Sequence, residues 1–149
     1  MTFRLLASTG AIALLASPPA AEFTLTILPI NAFHDRFEPI NGFDSTCSAE
    51  EAEAGECFGG IARLLTAVND ARGRAENSLL LDAGDQFQGS LLFTLYKGEM
   101  SAEFMPQVGY DAMAVGNHEF DEGPATLGAF IDAVGLPVLA ANIDASREP

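Results

Sequence analysis

Five side chains in this sequence have the types and spacing for metal-assisted proton transfer and hydrolysis: His34, Asp85, Asn117, His118 and Asp121. Three of them lie in the stretch Gly116-Asn117-His118-Glu119-Phe120-Asp121, which follows Tyr110 to Val115, a segment that reads as a short buried strand. Asn117 offers a hard amide oxygen and His118 an imidazole, and Asp121 is near enough in sequence to hold that ring in one tautomer. A polar loop after a strand is the ordinary reading of a lone Asn-His. Here, however, His34 and Asp85 also follow strand-like segments, and the chain has only 2 histidines, both in such turns. Two divalent ions about 3.5–4 Å apart need a bridging carboxylate surrounded by neutral imidazoles and an amide oxygen. Asp85 suits the bridge, because the preceding Gly84 lets the backbone approach closely. His118, oriented by Asp121, has the chemistry to stabilise phosphoryl oxygens or to protonate a leaving group.

The elements that must carry these groups alternate between strand and helix. Phe23 to Leu28 alternates and is β-branched, as a first strand does. Ile40 to Gly59 reads as a surface excursion, with its acidic Glu50-Glu51-Ala52-Glu53 run a solvated loop rather than a calcium site. Ile61, Leu64, Leu65 and Val68 give a helical period that should end near Arg72-Gly73. The continuous run Ser78 to Leu81 reads as a strand buried on both faces. After a turn over 86–90, short helices are expected over 91–96 and 101–107, broken by Gly98 and ended by Pro106 and Gly109. Pro124 should open a helix whose apolar face is Leu127, Phe130, Ile131 and Val134, with Gly135 as its stop. Leu136 to Ala140 is the last expected strand. The result is an α/β architecture with every polar motif at the carboxyl end of a strand, where open α/β sheets keep their sites.

The chain has 149 residues and a formal net charge of −14, with a pI near 4.2. That charge argues against nucleic-acid polymers and anionic membranes as partners. Residues 1–21 have the form of a secretory signal peptide: Arg4, an apolar run from Leu5 to Ala16, then Ser17-Pro18-Pro19-Ala20-Ala21. No stretch is long enough to span a bilayer, so residues 22–149 are expected as one soluble, periplasmic or secreted domain. Cys47 and Cys57 fit an oxidising compartment, and a disulfide between them is the better reading than a metal pair, since no further Cys or His lies nearby.

Asn31-x-x-His34, Gly84-Asp85-x-Phe87-x-Gly89, Gly116-Asn117-His118-Glu119-Phe120-Asp121 and Ala141-Asn142-Ile143 together resemble the amino-terminal metallophosphatase domain of the secreted 5′-nucleotidase/UDP-sugar hydrolase family, of calcineurin-like phosphoesterase type. The resemblance covers nearly all of residues 22–149. It implies a four-layer α/β-β/α sandwich, two divalent metal ions (zinc, manganese or similar) and hydrolysis of nucleotide phosphate esters. It also implies that His34, Asp85 and Asn117 are metal ligands, with His118 and Asp121 as the catalytic pair.

Two departures qualify these expectations. Pro29 and Ala32 stand where the family pattern resembles His and a metal-ligating Asp. A methyl group coordinates nothing, so one metal site is weakened, and Asp35 has the wrong spacing to replace the lost ligand. The family also draws further histidines, and a nucleotide-binding carboxyl-terminal domain, from later in the chain. The sandwich is therefore expected to be incomplete at its carboxyl-terminal side, and the chain by itself inactive. The alternatives are a non-catalytic relative with weak metal binding, or another two-metal phosphoesterase such as a cyclic-nucleotide 2′-phosphodiesterase.

Overall fold

A computed structural model describes residues 22–144 and 146–147. The expected signal peptide, residues 1–21, lies outside the described residues. Four strands form one parallel sheet in the order β1-β2-β3-β4: β1 Thr26–Ile30, β2 Ser78–Asp82, β3 Ala112–Ala114 and β4 Val138–Leu139. The helices are α1 Ala49–Glu53, α2 Ile61–Gly73, α3 Leu91–Tyr96, α4 Glu99–Val108 and α5 Pro124–Val134, with a single 3-10 turn at His118–Phe120.

The sheet grows by one neighbouring strand at a time. Right-handed crossovers in such a sheet place every connecting helix on the same side. Leu28, Leu80, Met113 and Val138 point to that side. There they meet Leu64 and Val68 of α2, Met105 and Val108 of α4, and Leu127, Phe130 and Val134 of α5. The opposite face is bare among the described residues. Ile27 pairs in register with Leu79, and the two are 47% and 36% exposed, with Leu139 at 57%. The expectation that β2 is buried on both faces is therefore corrected. An uninterrupted leucine run does not say whether one layer or two will cover it. One sheet and one helix layer of the sandwich are present among the described residues.

Most boundaries follow local chemistry. Pro124 occupies the first turn of α5, where its missing N–H costs no hydrogen bond, and Gly135 ends the helix in the left-handed region. Two expectations fail here. Ile131 lies at the edge of the α5 face and is exposed. Pro106 does not end α4, which runs on to Val108 until Gly109, in the left-handed region, caps the carbonyls of Met105 and Pro106.

The excursion holds more order than its composition implied. Ser48 and Glu51 form a reciprocal capping box that starts α1. Ile40 bridges both Thr46 and Phe58. Cys47 and Cys57 are joined by a disulfide, their Cα atoms 5.8 Å apart.

Candidate metal and catalytic centre

The loops after β1 and β2 are stitched together by backbone hydrogen bonds, and the loop after β3 joins the second through the carboxylates of Glu119 and Asp85. The amide of Ala32 donates to the Gly84 carbonyl at 3.0 Å, that of His34 to Asp85 at 3.0 Å, and that of Asp35 to Gln86 at 2.9 Å. Ala32, His34 and Asp35 all hold φ near +50°, in the left-handed region. Such backbone is unfavourable for alanine and histidine and clusters at functional sites. Gly84 also has positive φ, and a Cβ there would run into the backbone of Gly116. Two glycines thus let the second and third loops touch.

This stitching brings side chains from all three loops together. Ligating atoms of His34, Asp85 and His118 lie within 4.8 Å of one another, and the two imidazole rings are 5.2 Å apart between centroids. Nδ1 of His34 lies 3.2 Å from the carbonyl oxygen of Phe87. A carbonyl only accepts, so Nδ1 carries the hydrogen and Nε2 keeps its lone pair, the arrangement a metal-binding histidine needs. The amide of His118 donates to Oδ1 of Asp85 at 3.0 Å. These nitrogen and carboxylate donors suit a borderline or hard divalent ion such as zinc or manganese. Asn117 stands at the start of the 3-10 turn, exposed on the rim beside His118.

Nδ1 of His118 lies 2.7 Å from Oδ2 of Asp121. That hydrogen bond is the main reason the His118 value is raised, with the negative charges of Asp121, Asp85 and Glu119 adding to it. The same bond holds the Asp121 carboxyl below its ordinary value.

Three buried carboxyls surround the cluster without joining it. Asp35 is 1% exposed and accepts from the hydroxyls of Ser90 at 3.0 Å and Ser101 at 3.4 Å. Burial raises its value, while these hydroxyls and the Phe93 amide partly oppose the rise. Asp35 therefore braces the first loop against α3 and α4 and does not replace a carboxylate at position 32. Asp82 accepts from the Gly84 amide at 2.6 Å and from the side-chain amide of Gln86. Burial, and then repulsion from Glu119 and Asp85, pushes it up to about 7. Glu119 is 0% exposed and accepts the amides of Asp85, Gln86, Phe87 and Gly116. Sequence reasoning placed Glu119 among the functional groups of this turn but missed its burial and its backbone partners, because a glutamate on a polar turn is ordinarily solvated.

Residues 26–145 match the calcineurin-like phosphoesterase family. The 5′-nucleotidase of Bos taurus is 46% identical over 136 residues, which cover 91% of this chain and 23% of that protein. Among solved structures, the 5′-nucleotidase precursor of Thermus thermophilus has a TM-score of 0.72 at 44% identity, over 85% of this chain and 24% of that one. The NAD nucleotidase of Haemophilus influenzae has a TM-score of 0.66 at 30% identity, over 79% of this chain and 20% of that one. The chain thus spans about a quarter or less of the length of these relatives. The family match runs from the first strand to beyond the last and takes in all three loops of the centre: this chain belongs to the calcineurin-like phosphoesterase family.

Proposed function

We propose that this chain contributes the first three strand-end loops of a metal-dependent hydrolase of nucleotide phosphate esters, of 5′-nucleotidase type. The observation that carries this reading is the meeting of His34, Asp85 and His118 donor atoms within 4.8 Å, from three loops far apart in sequence. Identities of 44–46% to 5′-nucleotidases support the substrate class. His34, Asp85 and Asn117 are the proposed metal ligands. Bound divalent ions supply Lewis-acid polarisation of the phosphoryl group and acidify a water molecule.

The remaining chemistry belongs to the chain itself. Asp121 fixes the His118 ring through Nδ1, so Nε2 is the atom that meets substrate. The Asp121 hydrogen bond and the neighbouring negative charges favour the protonated ring, whose Nε2 proton can pass to the leaving nucleoside oxygen. Phe87 fixes the His34 tautomer, and Glu119 and Gly84 hold the second loop against the third. The leader-like residues 1–21 and the disulfide support a periplasmic or secreted location. No helix among the described residues is long and apolar enough to cross a membrane.

One observation favours a second reading, a non-catalytic relative with weak metal binding: residue 32 is Ala, where the family pattern resembles a metal-ligating Asp. The two readings separate in an assay of phosphate release from 5′-AMP with Mn²⁺. With residues 26–145 replacing the matching segment of a complete 5′-nucleotidase, the first expects metal-dependent release that falls on the order of 10²–10⁴-fold in His118→Ala. The second expects no release from that chimera at any metal concentration.

A further inference from the structure

Glu119 neither binds metal nor moves a proton in the reading just given, yet its buried carboxylate accepts four backbone amides. Oε2 accepts the amide of Asp85 at 3.0 Å and that of Gly116 at 2.6 Å. Oε1 accepts Gln86 at 2.7 Å and Phe87 at 3.2 Å. A single oxygen thus ties the backbone of the second loop to that of the third. Asp85 closes the circuit, because its side chain accepts the amide of His118, the residue before Glu119.

From this geometry we infer that Glu119 is a positioning residue, whose buried carboxylate sets the separation of Asp85 from His118 by holding both loops on its two oxygens. The inference rests on the reading that Asp85 binds metal and His118 handles the proton. A glutamine at 119 would keep the volume but replace one acceptor oxygen with an NH₂ group, so that donors would face donors on one side of the junction. The charge-assisted character of the remaining bonds would also be lost. The alternative is a buried carboxylate that merely stabilises the fold. That role would leave the Asp85–His118 bond intact wherever the chain still folds.

Amide hydrogen exchange and Mn²⁺ titration on the full chain, native and Glu119→Gln, separate these roles. The amide of His118 is the decisive probe, since it bonds Asp85 and does not touch Glu119. The expected result is a variant that still protects the Leu80 and Met113 amides but loses protection at His118. Its Mn²⁺ dissociation constant should rise on the order of 10–100-fold. Unchanged His118 protection with unchanged Mn²⁺ affinity would overturn the inference. A native chain that binds no Mn²⁺ would sink the functional reading instead, leaving His118 exchange to decide the role of Glu119. Should the variant not fold, native-state exchange in rising denaturant decides. The amides of Asp85, Gln86, Gly116 and His118 are expected to open as one unit, and independent opening of His118 would refute the claim.

Discussion

Nδ1 of His118 and Oδ2 of Asp121 lie 2.7 Å apart, and each side chain is about one-third exposed. This pair combines a held proton with access from solvent.

The pair has a defined pH window. His118 is raised above its ordinary 6.5, so its contribution to stability is complete below that value and is lost as pH rises through the folded-state value. Asp121 is lowered from 3.8, so its contribution is present above that value and is lost as pH falls through the folded-state value. In the metal-free protein, Asp121→Asn should lower the His118 titration midpoint, as followed by NMR of the ring. A midpoint that stays in place would show that Asp121 does not control the ring.

Asp82 has the same sign as His118 and opposes Asp121. Burial raises its folded value to about 7, so between 3.8 and 7 the folded state binds more protons than the unfolded state. Stability of the metal-free chain should fall across that window by up to roughly 4 kcal/mol, at about 1.4 kcal/mol per pH unit. Asp82→Asn should flatten the slope. Denaturant melts at pH 4.5 and 7 check this, and equal slopes in the two proteins would contradict it.

Position 32 separates strain from ligation. Ala32 holds φ +51°, a conformation that glycine adopts freely and aspartate better than alanine. Ala32→Gly should stabilise the chain by about 1 kcal/mol without changing Mn²⁺ affinity. Ala32→Asp should tighten Mn²⁺ binding as well. Equal isothermal titrations for the native chain and Ala32→Asp would mean that position 32 does not face the ion.

The Cys47–Cys57 bridge closes a loop with a sequence separation of 10, which is worth about 2–3 kcal/mol by chain entropy. Reduction should lower the thermal midpoint while Mn²⁺ affinity stays unchanged, because the bridge lies outside the stitched loops. Loss of metal binding on reduction would show the excursion to be part of the centre.

The bare sheet face should drive self-association. Ile27 and Leu79 are cross-strand partners there, and exposed apolar sheet surface of this kind marks an interaction or aggregation site. Leu79→Lys should reduce concentration-dependent association in light scattering. A native chain that stays monomeric at every concentration would contradict this.

The site was more legible in the sequence than the packing around it. Glycine-terminated apolar runs located the ends of β2 and β3, and with them Asp85 and His118. Strand limits were less exact, because β3 keeps ladder partners only over Ala112–Ala114 of the expected Tyr110–Val115. Leu79 was read as buried from an uninterrupted apolar run and Ile131 from the helical period, and neither pattern reports how much of a face the neighbouring layer covers. The role of Glu119 was not legible because three of its four amide partners, Asp85, Gln86 and Phe87, lie on another loop, which only the closed fold brings into reach.

Whether these strand-end loops form a metal centre is decided by a Mn²⁺ titration of the native chain beside Asp85→Ala, followed by the loss of free-ion paramagnetic resonance signal. Saturable binding is expected in the native chain and none in the variant, with both showing the same cooperative melt in the absence of metal. No saturable binding in the native chain, or equal binding in both, would contradict the claim.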